Sequence, residues 1–180
     1  DYIKPTLEHY KRLDIDFEAV YSGFLGSEEQ VDSCLEFFKS YPNALKVVDP
    51  VMGDNGKAYK TCTKNLQNRM KELVAVADLI TPNLTEAEML LGESYRSEPM
   101  TITEARSLLL KLHGLGPKMI VVTGVELATG ILANICYDSE QGSFWYSPSE
   151  YIPVHYPGCG DIFASVLIGA YAGYYYITLV

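Results

Sequence analysis

Several short stretches of this sequence set carboxylates and amides beside glycines in ways that suit chemistry on a phosphate. Pro157-Gly158-Cys159-Gly160-Asp161 lies between an extended segment and a helical one. Two glycines permit a tight turn whose N–H groups point at one spot, and a helix start adds partial positive charge there. Such a turn suits the charge on a transferring phosphoryl group. Asp161 stands where a carboxylate can take the proton of an attacking hydroxyl. The plainer alternative is a glycine turn whose Asp161 is favoured by the dipole of the helix it opens.

Asp49-Pro50-Val51-Met52-Gly53-Asp54-Asn55-Gly56-Lys57-Ala58-Tyr59 contains Asn-Gly, a strong hairpin signal. A hairpin flap accounts for the turn but not for two carboxylates, Asp49 and Asp54, at the mouth of a sheet. Thr81-Pro82-Asn83-Leu84-Thr85-Glu86-Ala87-Glu88 has the spacing of a capping box, with Asn83 as N-cap and Glu86 three residues on. Val121-Val122-Thr123-Gly124 reads only as a strand entering a turn. Ser22-Gly23-Phe24 is an aromatic beside a glycine turn, which fits a core contact as well as a ligand contact. His9, His113 and His155 are scattered and read as surface or helix-end residues.

The elements that must position these residues alternate between strand and helix, which argues a mostly parallel sheet covered by helices. Phe17–Ser22, Leu45–Asp49, Ala77–Thr81 and Met119–Thr123 read as strands. Segments 130–137 and 143–146 read as an antiparallel pair, and 152–156 as extended. Helices are predicted from Ser27 to about Lys39, over 63–74, from Asn83 or Thr85 to Leu91 with Gly92 as stop, over 103–113, and from Cys159 to about Tyr171. In such sheets ligands sit beyond the carboxyl ends of the strands. Asp49, Thr81-Pro82-Asn83, Thr123-Gly124 and 158–161 all fall at or just past such ends.

Composition narrows the function classes. The 180 residues carry a formal net charge of −9, which disfavours nucleic acid and anionic membrane as partners. It does not disfavour ATP, which backbone N–H groups and a metal can hold. No segment has the apolar length of a membrane span, and none shows a basic start followed by an apolar run. Cys34, Cys62, Cys136 and Cys159 have no Cys-x-x-Cys spacing, so neither a zinc site nor a disulfide framework is expected. A cytoplasmic location is the expectation. At a helix start, the Cys159 thiol is a candidate for oxidant sensitivity or contact with an aldehyde, or simply a small residue standing in for Thr.

Gly158-Cys159-Gly160-Asp161 is similar to the Gly-Thr/Cys-Gly-Asp signature of ribokinase-like kinases. The Asp49-to-Tyr59 stretch closely resembles the corresponding loop of pyridoxal kinases, and Thr81-Pro82-Asn83-Leu84-Thr85-Glu86-Ala87 resembles that family's Mg²⁺–ATP motif. The motifs stand in family order from about Phe17 to Ala172. The resemblance implies an α/β fold, a ribokinase-like three-layer α/β/α sandwich with a mostly parallel central sheet. It implies one kinase domain over residues 1–180, incomplete at both ends, without an N-terminal substrate-binding part and C-terminal helices.

The implied reaction transfers the γ-phosphate of ATP to the 5′-hydroxymethyl group of a vitamin B6 compound. Asp161 would be the base, with Gly158, Cys159 and Gly160 forming the anion hole. Asp49 would lie near the ATP phosphates and Asp54 near the metal, with Asn83 and Glu86 orienting Mg²⁺ and its waters. Thr123 and Gly124 would meet the nucleotide phosphates or ribose. Tyr59 and Phe24 would line the substrate side, Phe24 replacing the family's usual Tyr. ATP, Mg²⁺, a monovalent cation as a further candidate and a homodimer follow from the same resemblance. One rival is a hydroxymethylpyrimidine kinase of thiamine synthesis, a group that usually carries Cys where Asp161 stands and lacks the flap. The other is a non-catalytic nucleotide-binding remnant.

Overall fold

The strand–helix alternation folds into a six-stranded sheet with helices on both faces. The computed structural model describes residues 2–150, 152 and 156–174. In chain order the elements are α1 (Ile3–Arg12), β1 (Ala19–Ser22), α2 (Glu28–Ser40), β2 (Leu45–Val48), β3 (Gly53–Asp54), β4 (Lys57–Ala58), α3 (Lys64–Ala75), β5 (Leu79–Ile80), α4 (Leu84–Leu91), α5 (Ile102–His113), β6 (Met119–Glu126), β7 (Leu132–Asp138), β8 (Ser143–Ser149) and α6 (Cys159–Gly169). A π turn over Ala170–Tyr174 follows.

The sheet order is β1-β2-β5-β6-β7-β8. The first four strands are parallel, and β7 and β8 are antiparallel additions at one edge. Antiparallel return needs only short turns, whereas each parallel step needs a helical crossover. Successive side chains of the central strands point to opposite faces. Val48, Ile80, Ile120 and Val122 enter the large core built with α2, α3, α4 and α5. Val47, Leu79 and Val121 face the other way, onto Phe163, Leu167 and Ile168 of α6. Both faces are therefore covered, as an all-parallel region requires, and the α/β/α layering expected from the sequence is present.

Local signals set the helix boundaries. Ser27, Thr63, Asn83 and Thr101 each accept a hydrogen bond from a first-turn amide of α2, α3, α4 and α5, contributing about 1 kcal/mol apiece. Helix α5 begins at Ile102 rather than at 103 because Thr101 and Glu104 form a complete capping box. Gly92 ends α4 in the left-handed region, φ 71°.

Helix α1 has no counterpart in the strand and helix pattern read from the sequence. Its Ile3/Leu7/Tyr10 spacing carries the signal, and Leu7 is buried beside Tyr41 and Ala44, with Phe17 and Phe37 packed around them. Strand β6 continues past Thr123 to Glu126 through an irregularity between Val122 and Val125. The extended segment expected over 152–156 lies mostly outside the described residues, as does His155.

Candidate active site

The carboxyl ends of the parallel strands are tied in one line. The Asp49 amide donates to Ser22 O at 2.9 Å, Thr81 N–H to Val48 O at 3.2 Å, and Thr123 N–H to Pro82 O at 2.9 Å. Asn83 bridges to Thr123 in parallel fashion. The first residue past each strand thus inherits the sheet's register, and Asp49, Thr81, Asn83 and Thr123 line one rim.

Across this rim lies the start of α6. Gly158, its N-cap, has φ 85°, a left-handed conformation that favours glycine. Unlike α2 to α5, α6 has no side-chain cap hydrogen bond. Among the described residues no side chain takes up its opening amides, which therefore keep their capacity for an acceptor supplied from elsewhere. Asp161 sits in this first turn, exposed to solvent, and a Cβ on Gly160 would lie 3.7 Å from Asp49 Oδ2. Cys159 is exposed.

The two aspartates meet through a residue that the motif reading missed. Tyr21 Oη is 3.1 Å from Asp49 Oδ2 and 3.3 Å from Asp161 Oδ1. Burial, together with these two carboxylates, raises the Tyr21 hydroxyl well above the usual phenol range. Asp49 is buried, and that burial, reinforced by the charge of Asp161 and opposed by the Tyr21 hydrogen bond, pushes it up to about 6. The signal for Tyr21 was faint: a phenol in a short strand just before the Gly23 turn.

Glu86 is almost fully buried. Its Oε2 accepts the Asn83 amide at 2.9 Å, closing the capping box, and its Oε1 accepts the Met52 amide at 3.1 Å. Burial pushes it up to about 8 despite these donors, with Asp49 adding to the rise. Asn83 is equally committed. Its Oδ1 caps α4 through Glu86 N–H at 3.0 Å, and its Nδ2 donates to Gly53 O at 2.9 Å. Capping and flap anchoring therefore coexist in these residues.

The Asn-Gly flap forms as expected, with Asn55 and Gly56 at φ 50° and 75°, the pattern of a type I′ turn. The Gly56 amide donates to Thr85 Oγ1 at 2.9 Å, fixing the flap to α4. Both Asp54 oxygens are used inside the turn, one by the Asn55 amide and one by its side-chain amide. Tyr59, just past the flap, and Phe24 are both largely exposed. The charges of Asp54, Glu86 and Asp49 all add to an upward shift at Tyr59, which burial leads. At the far end of the rim Gly124, φ 66°, donates its amide to Asn134 Oδ1 at 3.1 Å. Asn134, Thr85 and Tyr21 extend the set read from the sequence.

The family motif implies Mg²⁺, and the donor set can be tested against it. Asp49 and Glu86 are buried carboxylates held above their ordinary range, and Thr81 Oγ1 is buried with no hydrogen-bond partner among the described residues. These are oxygen donors, the type that Mg²⁺ selects. Among the described residues no three of His, Cys, Asp and Glu converge into a cage of protein ligands. The residues fit an ion held largely through waters and phosphates.

A six-stranded α/β/α sandwich with carboxylates and an uncapped helix start at its strand ends is the architecture of a ribokinase-like kinase. The family model for phosphomethylpyrimidine kinase matches residues 2–177, and the chain belongs to that family. Among curated proteins, a pyridoxal kinase of Arabidopsis thaliana is 32% identical over 161 residues, covering 83% of this chain and 49% of its own length. A hydroxymethylpyrimidine/phosphomethylpyrimidine kinase of Aquifex aeolicus is 27% identical over 88% of this chain. A crystal structure from Bacteroides thetaiotaomicron, described as a phosphomethylpyrimidine kinase, superposes with a TM-score of 0.89 at 34% identity, covering 95% of this chain and 60% of that one. A second crystal form of it contains pyridoxal. Pyridoxal kinase from Lactobacillus plantarum superposes with a TM-score of 0.84 at 28% identity, over 99% of this chain and 64% of that one. The chain spans about half the length of the Arabidopsis relative.

Proposed function

We propose that the chain acts as one ribokinase-like domain that transfers the γ-phosphoryl group of ATP to the 5′-hydroxymethyl group of a vitamin B6 compound. The observation that carries this reading is the pairing of Asp161, in the uncapped first turn of α6, with Asp49 at the end of β2 through a shared phenol. The likeness to pyridoxal kinases, and to a relative crystallised with pyridoxal, supports the acceptor.

In this mechanism Asp161 takes the proton of the acceptor hydroxyl as its oxygen attacks phosphorus in line. The opening amides of α6, at Cys159, Gly160 and Asp161, face the charge on the transferring group, and Gly158 gives the turn its shape. Asp49 sits on the phosphate side. Thr123 and Gly124 line the nucleotide end, and Phe24 and Tyr59 the acceptor end. Asp54, Asn83 and Glu86 would hold Mg²⁺ through its waters, and the ion would supply charge neutralisation on the phosphates. Use of Mg²⁺ and a monovalent cation, homodimer assembly and a cytoplasmic location belong to the same reading, supported by the family resemblance. Among the described residues no helix is long and apolar enough to cross a membrane.

A hydroxymethylpyrimidine kinase is the second reading, favoured by the family's own description and by the Aquifex relative. One assay separates them: ADP release from Mg·ATP with pyridoxal, pyridoxamine and hydroxymethylpyrimidine in parallel. Preference for the B6 acceptors is expected. Preference for the pyrimidine overturns the assignment, and thermal stabilisation by ATP without ADP release points to a non-catalytic binder.

A further inference from the structure

The Tyr21 hydroxyl has one proton and two carboxylate neighbours, from elements 28 and 140 residues away in sequence. A phenol can donate to one carboxylate at a time. The second contact is favourable only when that carboxylate itself carries a proton or when the phenol alternates between the two. Asp49 lies in the buried wall and Asp161 faces solvent, so Tyr21 is the hinge between a desolvated acid and an open one. The surroundings are shaped for this contact. A Cβ on Gly23 would come within 3.2 Å of Tyr21 Oη, so a larger residue there would crowd the hydroxyl. The phenol ring is held in the apolar layer of Val47, Leu79 and Val121 beneath α6.

Resting on the kinase reading, we propose that Tyr21 is a positioning residue that holds the Asp161 carboxylate at the rim and separates it from Asp49. Without the hydroxyl, two acids within two hydrogen-bond lengths of each other lose their common donor. Asp161, tethered at its side chain by no other protein group among the described residues, is then free to rotate toward solvent. A misplaced base loses turnover much more than it loses nucleotide affinity. The groups facing Tyr21 are Asp161 from α6 and Asp49 past β2; Glu86 of α4 and Tyr59 past the flap lie near enough to feel the charge of Asp49.

The test is Tyr21→Phe in the full-length protein, which keeps the ring packing and removes only the hydroxyl. Turnover with the preferred acceptor should fall about tenfold to 100-fold, the scale of one hydrogen bond to a charged group. KM for ATP should stay within about twofold and the melting temperature within about 3 °C. As a readout independent of turnover, carboxyl NMR should show the Asp49 midpoint moving upward, because the hydroxyl that favours its charged form is gone. Unchanged turnover and an unchanged Asp49 midpoint would overturn the inference. If the wild type releases no ADP with any acceptor while the Asp49 midpoint still moves in the variant, the kinase reading has failed and the tyrosine-bridged pair stands.

Discussion

Asn83 joins two structures at once, so its truncation has a size that can be worked out in parts. In Asn83→Ala the N-cap acceptor for Glu86 N–H disappears, a loss of about 1 kcal/mol. The Nδ2 donor to Gly53 O also disappears, about 1 kcal/mol more. The sum of about 2 kcal/mol corresponds to a fall of roughly 4–8 °C in melting temperature for a chain of this size. Thr101→Ala is the matched control: it removes the equivalent cap on α5, with its own capping box, but touches no flap. Its melting point should fall by about half as much. Amide hydrogen exchange adds the spatial detail. The Gly56 amide, bonded to Thr85, and the Tyr59 amide, bonded to Met52 O, should lose protection in Asn83→Ala and keep it in Thr101→Ala. Asn83→Asp preserves the cap acceptor and removes the donor, so it should loosen the flap with a smaller thermal cost. If Asn83→Ala melts no lower than Thr101→Ala and the flap stays protected, the anchoring role of Asn83 is wrong.

Glu86 gives a pH signature. Its folded-state value, raised to about 8 from an ordinary 4.5, makes its stability contribution full below the ordinary value and lost as pH rises through the folded one. Melting temperature should therefore decline from about pH 5 to about pH 8.5, and Glu86→Gln should flatten that slope even if it lowers stability throughout; equal slopes refute it. Asp161→Ala should lower turnover by about 10²–10⁴-fold while ATP still stabilises the protein in thermal shift, and near-normal turnover would remove its role as base. Gly53→Ala places a Cβ against the Lys57 carbonyl oxygen within the hairpin. It should cost about 2 kcal/mol and expose the flap amides to exchange, with α5 amides unaffected.

The sequence alone determined what is local. Caps at Ser27 and Asn83, the Asn55-Gly56 turn and the Gly92 stop depend on contacts across a few residues, so residue type and spacing suffice to announce them. The apolar strands announced a parallel sheet, and the rule that sites lie at strand ends gathered Asp49, Asn83, Thr123 and Asp161. The exception was α1, whose Leu7 is explained only by the Phe17, Phe37 and Tyr41 rings it meets. What tertiary structure alone decided is which of the gathered groups touch. Tyr21 joins Asp49 to Asp161, Glu86 reaches the Met52 amide, and Gly124 finds Asn134. Each of these contacts depends on strand register and on the seating of a helix against the sheet, which no short stretch of chain encodes. Burial, too, belongs to the assembled fold: Asp49 and Glu86 are ordinary acids as letters, and the desolvation that raises both comes from the layers packed around them.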